Sequence, residues 1–235
     1  TELRTVLADR IAAVRSRIAA ACARVGRDPS AVTLVAVTKT VSPRVAGFLS
    51  DLGVPDLGES RPQELWHKAA ELKDRPIRWH LIGHLQRNKV ERTLPLVHLI
   101  HSVDSLRLFE AIAIEGQKRG LNPGLLLEIN ASREEQKHGF SYDEVRAGEW
   151  EFENRPGHVC GLMCMAAYSG DPEHARPAFR ELRQFRDRLR QDWLIVGPQL
   201  EHLSMGMSSD FEVAIEEGAT LVRIGTTIFE RLEGE

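Results

Sequence analysis

Hydrophobic residues at the start of the chain repeat with the period of an α-helix. The repeat has arginines on its other faces and consists of Leu3, Leu7, Ile11, Val14, Ile18 and Cys22. Spacings of three and four residues place these side chains on one face, which predicts an amphipathic helix. Gly26 and Pro29 then predict the end of that helix.

Beyond this helix, short apolar runs alternate with polar segments that often have helical period. Eight runs predict strands, at residues 32–39, 56–60, 77–83, 98–104, 125–131, 159–165, 200–205 and 221–226. The clearest helical segment between them extends from Ala175 to Leu189, after a capping signal at Asp171 and Pro172. Such alternation indicates parallel βαβ units.

Eight βαβ-type units in 235 residues predict an α/β fold, a (β/α)8 TIM barrel with the first helix as an additional element. The alternative is an open doubly wound sheet, because the second predicted strand is short and weak. Residues 1–235 contain no long linker rich in Gly, Ser or Pro, so we expect a single domain.

Composition and charge argue against several classes of protein. The formal net charge of -3 creates no field that attracts nucleic acid or an anionic membrane. No apolar run reaches membrane-spanning length, and the first residues lack the apolar centre of a signal peptide. Three cysteines fit a reducing compartment, so we expect a cytoplasmic protein. The arginine-rich stretch 176–190 is interleaved with acids, which favours a solvated helix face over RNA contact.

A lysine, Lys39, closes the first apolar run. A poorly solvated lysine loses its proton readily and becomes a nucleophilic amine, as a Schiff base requires. The alternative is a lysine that simply reaches water at the end of its strand. Strand parity places Val35, Val37 and Lys39 on one face, and Arg223 and Gly225 on one face of the last strand. Barrel closure makes these two strands neighbours, so Lys39 and Arg223 are both expected at the barrel mouth.

Two clusters of small polar residues, 204–209 and 225–227, follow the last two predicted strands. These strand ends are the usual phosphate position in such barrels. Beside a lysine that can form a Schiff base, they predict a phosphorylated aldehyde, and pyridoxal phosphate fits best. Arg223 would then face the pyridine nitrogen and leave it unprotonated, because a guanidinium cannot supply a proton near neutral pH. That arrangement disfavours transaminase and decarboxylase chemistry.

No metal site is predicted. His80 and His84 lie on a strand and its following loop, so their spacing of four does not create the ligand geometry of a helix. We expect these histidines, and the pair His98 and His101, to be structural residues with ordinary hydrogen bonds. Cys160 and Cys164 share a strand face, and packing explains them.

Several strings of residues in the chain resemble the motifs of one known family. They are VTKT at 37–40, GESRPQE at 58–64, WHLIGHLQRNK at 79–89, HSVD at 101–104, GLM at 161–163, LSMGMSSD at 203–210 and VRIGT at 222–226. Together they resemble the pyridoxal phosphate homeostasis proteins, which are similar to the barrel domain of alanine racemases. The family commonly has Asn where this chain has Ser60, Pro where it has His84 and Gly where it has Glu230.

The resemblance implies a protein that binds pyridoxal phosphate, buffers it and hands it to apo-enzymes, without established catalysis. Lys39 would form the Schiff base, and Arg223 would face the pyridine nitrogen. The phosphate would be held by Ser204, Gly225 and Thr226, together with Ser208.

Two alternatives stay open at this point. A racemase needs a second acid/base group, and Tyr168, just past the sixth predicted strand, is the candidate. Alanine racemases take a tyrosine from a second domain, and the chain ends soon after Thr226, which favours a carrier and a monomer. The other alternative is a Schiff-base aldolase, which would act without a bound cofactor.

Overall fold

The structure, a computed structural model, describes residues 2–131, 138–167 and 170–232. Eight parallel strands close into a barrel in chain order. Their bounds are β1 Thr33–Val37, β2 Asp56–Glu59, β3 Arg78–Leu81, β4 Leu99–Val103, β5 Gly124–Ile129, β6 His158–Cys164, β7 His202–Ser204 and β8 Leu221–Ile224. Because β1 pairs with both β2 and β8, the predicted barrel is confirmed and the open sheet is rejected.

Helices follow the strands and lie between them in the chain. Their bounds are α1 Glu2–Arg24, α2 Pro43–Asp51, α3 Pro62–Glu71, α4 Val90–Thr93, α5 Leu106–Arg119, α6 Tyr142–Ala147, α7 Glu149–Asn154, α8 Arg176–Asp192, α9 Phe211–Glu216 and α10 Thr226–Phe229. The additional helix α1 packs against α9 and α10 and buries the predicted apolar face. The predicted helix near 175–189 is α8, and a short turn capped by the Asp171 carboxylate precedes it.

Three arginines of α8 form ion pairs with the end of α9. Arg176 pairs with Glu216 and Glu217, and Arg180 and Arg183 also pair with Glu217. These contacts attach α8 to the end of α9, so the three arginines have a structural role. Within the described ranges, no helix combines the length and the apolar content that a membrane crossing needs.

The interior of the barrel contains both apolar and polar side chains. The apolar cluster consists of Val35, Leu99, Leu126, Cys160, Met163 and Leu221. Polar side chains also share this inward face of the strands, and the buried ones are Asp56, His80, His101, Glu128, Ser204 and Arg223. Because β4 and β7 are not neighbours, the hydrogen bond between His101 and Ser204 must cross the interior. The polar groups therefore meet inside the barrel rather than at its surface.

Candidate functional site

Lys39 lies at the mouth of the barrel, two residues beyond the end of β1. Its side chain is exposed, which agrees with the alternative of a lysine that reaches water at the end of its strand. The reason is that β1 ends at Val37, and Thr38 takes the last buried position. A cavity of about 570 Å³ opens beside the lysine and is lined by Lys39, Thr40, Glu59, Ser60, Arg61 and Glu64.

A buried ion pair lies next to the backbone that carries Lys39. Lys68, on α3, donates to Glu59 Oε1 at 2.7 Å and to the carbonyl oxygen of Thr38 at 2.6 Å. The Thr38 hydroxyl donates to the same carboxylate oxygen at 2.5 Å. Glu59 Oε2 is buried without a hydrogen-bond partner among the described residues. These contacts fix the backbone just before Lys39, whose exposed side chain lines the cavity.

Arg223 is the inward-facing cation of β8, and it is 4% exposed. Its backbone lies opposite Val35 of β1, which agrees with the neighbouring first and last strands that barrel closure predicted. The guanidinium donates from Nη2 to the carbonyl oxygen of Cys164 at 3.0 Å and from Nη1 to the Ser204 hydroxyl. Partners on β6 and β7 therefore hold its orientation inside the barrel.

Ser204 lies in a different environment from the one that the sequence suggested. It is the last residue of β7 and has no exposed surface. Its hydroxyl accepts from Arg223 and forms a hydrogen bond of 2.7 Å with His101 Nδ1. Both bonds go to protein groups, so its position supports a role beneath Arg223 and does not support a phosphate role. The physical reason is that Ser204 is still a strand residue, and its side chain follows the inward face.

Ser208, Gly225 and Thr226 belong to two loops that meet above β7 and β8. The Ser208 hydroxyl accepts from the backbone N–H of Thr227 at 3.4 Å. Gly225 lies so close to Val37 that an added Cβ would be 3.3 Å from that residue's Cβ. This contact agrees with the predicted proximity of the first and last strands. Thr226 is exposed and begins α10.

Gly206 determines the path of the loop after β7. Its φ is +93°, and an added Cβ would lie 2.6 Å from the Cβ of Ala214, so only glycine fits here. Its carbonyl oxygen accepts from the backbone N–H of Arg223 at 3.0 Å. Asp210 Oδ1 accepts from the backbone N–H of Met207 at 2.7 Å. The loop is therefore closed on itself and attached to β8.

A chain of buried hydrogen bonds continues from Ser204 toward the amino-terminal end of the barrel. His101 Nε2 lies 2.9 Å from His80 Nδ1, and His80 Nε2 lies 3.0 Å from Asp56 Oδ1. Arg78 adds two hydrogen bonds to the Asp56 carboxylate. The sequence predicted ordinary hydrogen bonds for these histidines but not their connection to Arg223. Strand parity was the available signal in the sequence, because every residue of this hydrogen-bonded series lies on the inward face of its strand.

Glu128, on β5, is a mouth residue that the sequence reasoning missed. It is 7% exposed. Burial and the negative charge of Asp104 raise the pKa of its carboxyl to about 7, against the opposing effects of Arg223 and His84. A carboxyl that titrates near neutrality can hold or release a proton at the mouth. A single acid within an otherwise apolar run was the signal in the sequence.

Three loops at the mouth bring two histidines and a carboxylate together. His84 follows β3, Asp104 follows β4, and His138 lies beyond β5. Asp104 Oδ2 is 2.8 Å from His84 Nδ1 and 3.8 Å from His138 Nδ1, and the two imidazole centroids are 4.7 Å apart. The sequence predicted no such cluster, because its three members come from separate βα loops.

Comparisons with known proteins agree with this architecture. Residues 10–231 match the family model described as alanine racemase, N-terminal domain. The pyridoxal phosphate homeostasis protein of Aquifex aeolicus is 42% identical over 222 residues, which cover 94% of this chain and 96% of that protein. The crystal structure of an unknown protein from Bifidobacterium adolescentis has a TM-score of 0.90 at 36% identity and covers 97% of this chain and 96% of its own. PipY of Synechococcus elongatus, solved with PLP bound, has a TM-score of 0.82 at 32% identity, with coverage of 95% and 99%.

These matches extend over nearly the whole chain, and they include the strands that carry Lys39 and Arg223. Identity of this level over this length accompanies a common fold, which the closed barrel displays directly. The chain therefore belongs to the pyridoxal phosphate homeostasis protein family, whose barrel is that of the alanine racemase N-terminal domain.

Proposed function

We propose that this protein binds pyridoxal 5'-phosphate as a Schiff base on Lys39 and buffers it for delivery to other enzymes, without catalysis of its own. The observation that carries the proposal is the pairing of β1 with β8, which brings the strand that precedes Lys39 beside Arg223 and Gly225. The naming of the relatives and the PLP bound to PipY support the same ligand.

The residues at the mouth include the kinds of group that this ligand requires. When bound, pyridoxal phosphate supplies an aldehyde carbon, a pyridine nitrogen and a phosphate. Lys39 offers an amine to the aldehyde, and Arg223 offers N–H donors to the nitrogen. Ser208, Gly225 and Thr226 offer a hydroxyl group, backbone donors and close approach to the phosphate. The donor set therefore fits the ligand, with Ser204 as the support of Arg223.

An arginine partner for the pyridine nitrogen suits storage better than turnover. The guanidinium keeps its proton near neutral pH, so the nitrogen stays unprotonated and withdraws electrons weakly. Bonds from Arg223 to Ser204 and to the Cys164 carbonyl fix the guanidinium inside the barrel, and this fixed orientation supports the proposed role. The racemase alternative depends on Tyr168, which lies outside the described residues.

The proposed setting is the cytoplasm, with apo-enzymes that take up pyridoxal phosphate as partners. Cys22, Cys160 and Cys164 are buried and free of disulfide bonds, which suits a reducing compartment. The proposed working unit is a monomer, and sedimentation velocity of the loaded protein tests it.

Absorption spectroscopy and borohydride reduction test the Schiff base. The loaded protein is expected to absorb in the visible range and, after reduction, to carry a covalent adduct on Lys39. Lys39→Ala is expected to abolish both signals, whereas Lys118→Ala, at an exposed lysine paired with Glu115, retains both. An unchanged spectrum in Lys39→Ala contradicts the assignment. A sugar adduct trapped without pyridoxal phosphate supports the aldolase alternative instead.

A transfer assay tests delivery. Loaded protein is mixed with an apo-enzyme and an excess of a scavenger that removes free pyridoxal phosphate. Activation of the apo-enzyme despite the scavenger is the expected result, and loss of activation contradicts direct delivery. The loaded protein is also incubated with single-enantiomer amino acids, and sustained racemisation overturns the non-catalytic proposal.

A further inference from the structure

A chain of buried hydrogen bonds connects Arg223 to Asp56. Which group donates and which accepts at each step follows from the chemistry of the side chains. Arg223 only donates, so Ser204 Oγ accepts from it and has one proton to give. The second partner of Ser204 is His101 Nδ1, which accepts that proton if the imidazole carries its own on Nε2. His101 Nε2–H then donates to His80 Nδ1, and His80 Nε2–H donates to Asp56.

The opposite direction fails at its lower end. It would place an unprotonated His80 Nε2 at 3.0 Å from the Asp56 carboxylate, so that two acceptors faced each other, unless His80 were charged. Burial lowers the pKa of His101 well below its usual value, which supports a neutral ring there. Burial alone would raise the pKa of Asp56, but hydrogen bonds from Arg78 and His80 lower it to about 2, so Asp56 only accepts.

We propose that His101 and His80, anchored by Asp56, are positioning residues for Arg223. The ordered chain turns the Ser204 lone pairs toward the guanidinium, and this fixes the N–H donors that Arg223 presents to the mouth. Every member of the chain is at most 4% exposed, so bulk water does not replace a lost partner. The consequence for pyridoxal phosphate rests on the proposed function, whereas the direction of the chain does not.

Long-range 1H–15N NMR of the cofactor-free protein reads the tautomer of each histidine. The expected result is the Nε2–H tautomer for both His80 and His101 at neutral pH. An Nδ1–H tautomer or a charged ring at either residue overturns the proposed direction. Because this measurement needs no pyridoxal phosphate, its failure is distinct from a failure of the proposed function.

Substitutions at His101 test the effect on the ligand. His101→Leu removes the acceptor of Ser204 and is expected to weaken pyridoxal phosphate binding about tenfold and to shift the visible band. His101→Asn keeps an acceptor beside Ser204 and is expected to restore the affinity to within about threefold. The control is His202→Leu. His202 is a partly buried histidine of β7 that hydrogen-bonds to Thr220 and is not a member of the hydrogen-bonded series from Arg223 to Asp56.

An affinity and spectrum unchanged in His202→Leu support the positioning role. An equal loss in both leucine variants, or no recovery in His101→Asn, contradicts it. Circular dichroism shows whether each variant folds. If His101→Leu does not fold, the histidine tautomers of the unaltered protein decide the proposal.

A separate observation, the cluster of His84, Asp104 and His138, points to a metal site. In the described part of the chain, ligand atoms from the three residues all lie within 4.8 Å of one another. Two imidazole nitrogens and a carboxylate oxygen are donors that suit Zn²⁺ and similar divalent ions. The Asp104 side chain is 8% exposed, and its Oδ1 accepts from the Ser105 hydroxyl at 3.1 Å, which orients the carboxylate.

We infer that this cluster binds a divalent transition-metal ion at the barrel mouth. The ion would replace the proton between His84 Nδ1 and Asp104 Oδ2, and the His138 ring would turn toward it. Three protein ligands leave a coordination position for water or for an anionic group of a small molecule in the mouth.

Isothermal titration of the cofactor-free protein with Zn²⁺ and absorption of its Co²⁺ form test the site. One ion per chain is expected, with cobalt bands of low coordination number. His84→Ala and Asp104→Asn are each expected to weaken binding at least about tenfold. His67→Ala, at an exposed histidine paired with Glu71, is the matched control and leaves the affinity unchanged. Absent binding, or affinity untouched in the first two variants, overturns the inference.

Discussion

Two carboxylates buried in the same barrel have pKa values shifted in opposite directions. Asp56 lies near the amino-terminal end of the barrel, and Glu128 lies at its mouth. Burial tends to raise the pKa of Asp56, but hydrogen bonds from Arg78 and His80 outweigh it and lower the value to about 2. Burial and the charge of Asp104 raise the pKa of Glu128 to about 7. The two residues are 4% and 7% exposed, so burial does not distinguish them. Their hydrogen-bond partners distinguish them, because direct donors stabilise the charged form of a carboxylate and so lower its pKa.

The contrast separates two tasks of one barrel. At the amino-terminal end, hydrogen bonds from Arg78 and His80 compensate the charge of Asp56. At the mouth, Glu128 is incompletely compensated, and Glu59 retains a buried oxygen without a partner among the described residues. Buried carboxyl groups that lack a full set of protein partners are suited to interaction with a ligand.

The largest effect is expected when a mouth carboxylate loses its cationic partner. Lys68→Met leaves Glu59 buried with only the Thr38 hydroxyl as a donor, and we expect the free energy of unfolding to fall by about 4 kcal/mol. Urea denaturation measures the change. Lys118→Met, at an exposed lysine paired with Glu115, is the control and should change stability little. A loss below about 1 kcal/mol in Lys68→Met would mean that the mouth tolerates an isolated charge.

The next effect concerns the pH dependence of Glu128. Its folded-state pKa of about 7 exceeds the ordinary 4.5, so the folded protein holds the proton more tightly. Its contribution to stability is therefore complete below about pH 4.5 and is lost as pH rises through 7, by about 3 kcal/mol. Glu128→Gln keeps the shape and cannot ionise, so this part of the decline should disappear.

Urea denaturation in EDTA from about pH 5 to about pH 8 measures the difference between Glu128→Gln and the unaltered protein. The EDTA keeps metal binding at Asp104 and His84 from contributing to the result. Equal losses of stability in the two proteins would mean that the acidity of Glu128 is ordinary, and the comparison with Asp56 would then fail.

The smallest of these effects is expected at Asp56, in acid. Its folded-state pKa of about 2 lies below the ordinary 3.8, so its stabilising contribution is present above about pH 4. That contribution, about 2 kcal/mol, is lost as pH falls toward 2. Asp56→Asn should begin at lower stability and show a flatter acid limb in thermal unfolding. An acid limb identical to that of the unaltered protein would assign the loss to other carboxylates.

The strands were predictable because their signals are local. Each observed strand begins and ends within two residues of its predicted bounds. Strand parity placed Arg223 and Gly225 on one face, and barrel closure predicted that the last strand lies beside the first, which the pairing of β1 with β8 confirms. The shared face follows from the period of the strand alone, whereas the neighbouring position depends on the closed barrel.

The site was predictable only in part, because strand ends and distances between strands are not local properties. The exposure of Lys39 depends on where β1 stops, and the environment of Ser204 depends on its being the last residue of β7. The sequence suggested one polar cluster at 204–209, whereas in the structure Ser204 is buried inside the barrel and Ser208 lies in the loop beyond β7. The connection of His80 and His101 to Arg223 appears only when four strands face one interior.

The sequence by itself therefore determined the barrel, its additional helix, the inward side of Arg223 and the family to which the chain belongs. These follow from periodicity and from short motifs, which act over a few residues. The tertiary structure alone decided which polar side chains meet, because closure brings together strands that are distant along the chain. It also decided the pKa values of Asp56 and Glu128, since neighbours from other strands set the energy of a buried charge.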